Sequence, residues 1–191
     1  MQKERVTIAK TLDAVNQRFY QHHGNGFDRT RQAAWPGWLD VFGGTLSPPY
    51  NQVLDIGCGN GRFASFLAAH EHLSRQIESY VGYDRDQGLL ESARRKTLPF
   101  STKWQTWDWM QSKSSTELIK SDLIVAFGVF HHIFGYEHRL QLLTRLTKSL
   151  LWPFEIQAKR MFIVTFCISF FPDFCCCMLL AFRRKHGEVE P

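Results

Sequence analysis

Apolar residues recur along this chain in two rhythms. Over 4–21, Val6, Ile8, Ala9, Leu12, Val15 and Phe19 fall at roughly helical spacing and the run closes at His22-His23-Gly24, so a helix is predicted there, followed by a loop opened by Gly24 and Gly26. A second helix is predicted from Pro36 to Leu46, because proline is tolerated in a first turn; Gly43-Gly44 weakens its end. Ser47-Pro48-Pro49 separates that helix from Gln52-Val53-Leu54-Asp55-Ile56, which reads as a short buried strand. Beyond it the pattern predicts helix 61–73, strand 79–83, helix 86–96, strand 102–107, strand 121–127, helix 137–151 and strand 161–169. Strands and helices that alternate through short connections predict an α/β fold, a parallel sheet wrapped by helices. No internal repeat is present.

The 191 residues are 44% hydrophobic and 21% charged, which suits one globular domain with a sizeable core, or one domain with appendages. A formal net charge of +5 permits a polyanionic partner, but no run of five or more Lys or Arg marks a nucleic-acid tail. The amino-terminal residues mix charged and apolar types without the continuous apolar stretch of a secretory signal, so a cytoplasmic protein is expected. The five cysteines, Cys58, Cys167 and Cys175 to Cys177, form neither a paired C-x-x-C zinc spacing nor a disulfide framework, and reduced thiols are expected.

The stretch VLDIGCGNGRF, 53–63, places Gly57, Gly59 and Gly61 between the first strand and the next helix. Bare backbone and a helix amino terminus at the carboxyl edge of a parallel sheet form a nucleotide-binding arrangement. A dinucleotide fingerprint would carry Gly-x-Gly-x-x-Gly; here the third glycine comes one residue early and Asp55 sits inside the motif, which disfavours NAD.

Asp55-Ile56-Gly57-Cys58-Gly59-Asn60-Gly61 resembles motif I, D-x-G-x-G-x-G, of class I S-adenosylmethionine-dependent methyltransferases. Companions follow in the family's order. Val81-Gly82-Tyr83-Asp84 resembles its second strand, Trp107-Asp108 the acidic end of its third, and Asp122 to Phe127 its fourth, with Gly128-Val129-Phe130-His131-His132 at the substrate-facing mouth. The resemblance implies a Rossmann-like domain over 51–171 that holds S-adenosylmethionine through Asp55, Gly57, Gly59, Gly61, Asp84, Asp108 and Phe127. Asp84 would accept the ribose hydroxyls, and Asp108 would lie near the adenine amino group. His131 and His132 are the candidates for a chemical role, against a role in shaping the pocket; adjacent positions speak against a shared metal ion. Asp86 is the candidate helix cap, and Cys58 a small buried filler.

Phe27 to Trp38, FDRTRQAAWPGW, belongs to the amino-terminal cap, 1–50. It resembles the F-S-x-T-R-x-x-x-W-P segment of methyltransferases that esterify carboxymethyluridine at the tRNA wobble position, with Asp28 in place of the serine. Arg31 and Trp35 are thereby candidates for contacts to substrate or for a lid, and tRNA for the partner. A small-molecule methyltransferase and a non-catalytic cofactor- or partner-binding protein remain as alternatives.

The resemblance covers about 15–151 and then fails. The family would continue through a Pro-Gly-Gly-like turn, a fifth strand, a helix and two closing strands, whereas only twenty residues follow 161–171. A fold lacking its final strands is therefore expected, with a truncated or frame-altered apolar tail over 172–191, predicted to be a short apolar helix or unsettled segment at 174–183. A protein partner could cover the incomplete sheet. The run 161–182 also approaches the length of a membrane span, although Asp173 falls near its middle.

Overall fold

A computed structural model describes residues 2–30, 33–42, 50–109, 117–150, 161–168 and 176–179. The elements run α1 (Gln2–Thr30), α2 (Gly37–Phe42), β1 (Gln52–Ile56), α3 (Arg62–Ala69), α4 (Glu71–Ser74), β2 (Ser79–Asp84), α5 (Gln87–Arg94), β3 (Ser101–Thr106), β4 (Leu123–Phe127), α6 (Tyr136–Ser149), β5 (Met161–Ile168) and β6 (Cys176–Leu179). They build one sheet in the order β3-β2-β1-β4-β5-β6. All neighbours are parallel except β5 and β6, which pair antiparallel. The expected α/β, Rossmann-like sheet is therefore present.

Alternate residues of the central strands feed two cores. Val53, Tyr80, Leu123 and Val125 pack with Trp38, Phe63 and Phe66 on one face. Leu54, Ile56, Val81, Ile124 and Ala126 pack with Leu142 and Leu146 of α6 on the other. Burial on both faces is why β4 reads as a continuous apolar run. The sheet order places β1 between β2 and β4, so the chain after β1 emerges where crossovers depart to opposite sides, the place where such sheets bind ligands.

Several boundaries differ from the sequence pattern. Helix α1 runs on through Gly24 and Gly26 to Thr30; each glycine costs only about 1 kcal/mol relative to alanine and no proline intervenes before Pro36. The predicted helix 61–73 breaks at His70, whose backbone is extended, φ −113°, while its ring Nδ1 donates to the Phe66 carbonyl at 2.8 Å. The helix predicted over 36–46 is seen as α2; 43–49 lie outside the described residues. So does Arg31.

The carboxyl end needs a correction. Cys176–Leu179 is a strand, not part of an apolar helix or tail, and it extends the sheet beyond the fifth strand at which it was expected to end. The physical reason is the free edge of β5, whose backbone donors and acceptors an antiparallel neighbour can satisfy. Among the described residues no helix is long and apolar enough to cross a membrane.

Candidate functional site

The turn after β1 is built from three left-handed glycines. Gly57, Gly59 and Gly61 have φ of +71°, +53° and +73°, a region that other residues enter only with strain. They differ in what surrounds them. A Cβ on Gly57 would lie 2.2 Å from Val129 Cγ2, and one on Gly61 would lie 2.8 Å from the Trp104 ring. On Gly59 it would meet nothing nearer than Leu89 at 3.9 Å. Two glycines thus admit the protein's own side chains, and the middle one meets only the tip of Leu89 at ordinary contact distance.

Hydrogen bonds stitch this turn to the end of β2. The Gly57 and Cys58 amides donate to the Tyr83 carbonyl at 2.7 and 3.1 Å. The Gly59 amide donates to Asp84 Oδ2 at 2.8 Å, and the Asp86 amide to Asp84 Oδ1 at 2.8 Å. Burial raises the Asp84 carboxyl above its ordinary range, while these amide bonds act against the rise. Asp86 caps α5 by accepting the Leu89 amide at 2.9 Å, as its position suggested.

Asp55 sits beneath the turn, 2% exposed, and accepts the Tyr80 hydroxyl. Burial pushes its pKa up to about 7 despite that bond. Cys58 is a buried free thiol, held well above its usual range by the same cause.

A cavity of about 420 Å³ opens over the turn. Asp55, Gly57, Gly59, Asp84, Trp35, Phe127, His131 and His132, all candidates from sequence, line it. Gly61 and Asp108 are not among its lining residues. Asp108 instead pairs with Arg85 at 3.3 Å, beside Trp107 and Trp109, which do face the cavity. Among the described residues no group of three His, Cys, Asp or Glu could hold a metal ion.

The roof comes from α1, whose part the apolar pattern did not reveal. Arg85 donates to Asp13 through both terminal guanidinium nitrogens, at 2.6 and 3.2 Å. Asn16 Nδ2 lies 2.9 Å from His132 Nδ1, and the Tyr20 hydroxyl lies 3.0 Å from His132 Nε2. The signal was present as a polar stripe: Asp13, Asn16 and Tyr20 follow i, i+3, i+7 spacing and share one helix face. Meanwhile Ile8, Leu12, Val15 and Phe19, whose spacing predicted the helix, are 58%, 40%, 59% and 49% exposed. Phe19 also borders the cavity.

Trp35 and Trp38 also line the cavity. Trp38, 2% exposed, packs edge-on against Phe63 and tilts against Phe127 at 5.2 Å, fixing the latter at the end of β4. The Arg62 guanidinium lies 5.2 Å over the Trp38 ring, which puts a positive charge on the cavity wall.

Residues 54–151 match the protein family described as Methyltransferase domain. Over 131 residues the chain is 25% identical to the tRNA (carboxymethyluridine(34)-5-O)-methyltransferase ALKBH8 of Macaca fascicularis, a match covering 69% of this chain and 17% of that protein. Its fold is similar to that of the plantazolicin methyltransferase BpumL, solved with SAH (TM-score 0.57, 17% identity, 85% of this chain and 61% of that one). It is similar also to phosphoethanolamine N-methyltransferase 1 of Haemonchus contortus, solved with phosphoethanolamine and S-adenosylhomocysteine (TM-score 0.61, 14% identity, 84% and 33%). The chain thus spans less than two thirds of each of these relatives.

Proposed function

Because this chain belongs to the Methyltransferase domain family, we propose that it is an S-adenosylmethionine-dependent methyltransferase whose acceptor is the carboxylate of a carboxymethyluridine at the tRNA wobble position. The observation that carries the cofactor assignment is the cavity lined by Gly59 beside Asp84, a cradle that a side chain on that glycine would narrow. Asp84 holds the turn through backbone amides and lines the cavity, where its carboxylate would accept a ribose hydroxyl. Asp55 supports the turn from below, Phe127 packs against the ligand's flank, and Trp107 and Trp109 offer flat surfaces to a purine.

S-adenosylmethionine supplies a methyl group on a positively charged sulfur. The chain's own work is alignment and exclusion of water, and orientation can lower a barrier by about 7–11 kcal/mol. Helix α1 and the Trp35-Trp38 wall cover the cavity for that purpose. In support of the acceptor stand the 25% identity to the tRNA methyltransferase and the match of Phe27, Thr30, Arg31, Trp35 and Pro36 to the wobble-uridine enzymes' segment. A small carboxylic acid is the second reading, favoured by the aromatic lining of a cavity of about 420 Å³.

Calorimetry with S-adenosylhomocysteine, followed by mass analysis of tRNA lacking the wobble methyl ester, tests both levels. Binding together with a new methyl ester on the wobble nucleoside, weakening steeply with salt, is the expected result. Methylation of small carboxylic acids alone selects the second reading. Absence of binding removes both.

A further inference from the structure

Phe19 has two environments at once: it borders the cavity, and it is 49% exposed. It therefore stands at the rim, where a ligand larger than the cavity passes out over the surface of α1. Two rings of the same helix adjoin it. Tyr20 meets it edge-on with centroids 5.5 Å apart, and the His23 ring lies 5.1 Å away, one turn further along. The surface beside Phe19 carries positive charge. Arg18, His22 and His23 are exposed, and positions 18, 19, 22 and 23 follow i, i+1, i+4, i+5 spacing, so they share one side of the helix. Among the described side chains of α1 the charged groups are Lys10, Asp13 and Arg18, and the one acid, Asp13, is bound to Arg85.

We infer that this side of α1, centred on Arg18 and Phe19, is the docking surface for the unpaired RNA strand that presents the acceptor. This rests on the methyltransferase reading with a tRNA acceptor, and deepens it. The acceptor nucleoside enters the cavity, a neighbouring base stacks on Phe19, and Arg18 neutralises a phosphate of the same strand. Unpaired bases are held by stacking on aromatic side chains beside cations that follow the backbone.

A small acid lying wholly inside a cavity of about 420 Å³ would gain nothing from Arg18, which is not among the lining residues. A strand would, because its charge repeats beyond the nucleotide that reacts. Ile8, Leu12 and Val15 lie one to three turns toward the amino terminus and offer no ring. Stacking is thereby confined to the part of α1 that reaches the rim.

The test uses the full chain saturated with S-adenosylhomocysteine and, as probe, a fluorescent anticodon stem-loop carrying 5-carboxymethyluridine, titrated at several salt concentrations. Arg18→Gln should weaken binding and reduce the slope of log affinity against log salt by about one. Phe19→Ala should weaken binding by about tenfold, and Phe19→Trp, which keeps a stacking face, should restore it. Arg75→Gln, which removes an exposed cation at the end of α4, should leave binding unchanged. If the wild type binds the stem-loop and either Arg18→Gln or Phe19→Ala binds it equally well, the docking surface is overturned. The same holds if Arg75→Gln weakens binding as much as Arg18→Gln does. A wild-type chain that binds S-adenosylhomocysteine but no stem-loop, including one that uses the stripe to associate with itself, overturns the tRNA acceptor and this surface together. Failure to bind S-adenosylhomocysteine at all overturns the underlying methyltransferase reading.

Discussion

The carboxylate of Asp84 receives the amide of Gly59 at 2.8 Å, so the last residue of β2 shapes the turn that follows β1. A residue proposed to hold the ribose also holds the backbone that cradles the ligand. Its removal therefore has two effects. Asp84→Ala should lower the affinity for S-adenosylhomocysteine by more than tenfold and reduce stability by about 2–4 kcal/mol, because the charge-assisted bonds from the backbone amides are lost. Calorimetry and denaturant unfolding measure the two losses separately.

The three glycines should respond differently to alanine. Gly57→Ala and Gly61→Ala bring Cβ into Val129 and the Trp104 ring, and each should destabilise by more than about 2 kcal/mol. Gly59→Ala should cost only the left-handed strain, about 1–2 kcal/mol. Its larger effect should fall on cofactor affinity, since its side chain enters the cavity. Unfolding curves set beside binding isotherms distinguish the two patterns.

Asp55 gives stability a pH dependence. Its carboxyl titrates near pH 7 in the folded protein against an ordinary 3.8, so the folded state holds a proton that the unfolded chain releases first. Stability from this group is complete below about pH 4 and is lost as pH rises through 7, by up to about 4 kcal/mol. Asp55→Asn keeps an acceptor for Tyr80 and should remove that slope. Melting temperatures of both proteins between pH 4 and 8 measure it.

Arg85 links Asp13 on α1 to Asp108 after β3. Arg85→Met keeps the bulk and removes the guanidinium shared by two partly buried carboxylates, a loss of about 1–3 kcal/mol. Hydrogen exchange should show α1 losing protection while β1, β2 and β4 keep theirs. Equal protection of α1 in both proteins would contradict this role.

How much was legible depended on which contacts were local. The glycine turn, Asp84 at the end of β2 and the strand Leu123–Phe127 were readable because a nucleotide cradle needs fixed residue types at fixed spacing along the chain. The Asp86 cap was readable for the same reason, its partner being three residues away. Asn16, Tyr20 and Arg85 were not found. Their partners are 116, 112 and 72 positions distant, and no local period encodes such pairing. The apolar stripe of α1 foretold the helix but not its orientation: periodicity identifies a face, and packing decides which face turns inward. Asp108, expected at the end of the third strand, lies two residues beyond β3, and its ion pair with Arg85 depends on the neighbouring β2. The strand Cys176–Leu179 depends on the edge of β5, which a reading of its own residues could not supply.

Helix α1 is fastened over the cavity by Asp13, Asn16 and Tyr20, and no described residue of α1 belongs to either core cluster. Lifting it breaks polar contacts and wets little hydrocarbon. Apolar hydration is the source of the large positive heat-capacity change when protein surface is exposed. Opening of this roof should therefore carry almost no heat-capacity change, and its equilibrium should follow a nearly straight van't Hoff line, while global unfolding of the sheet beneath it curves.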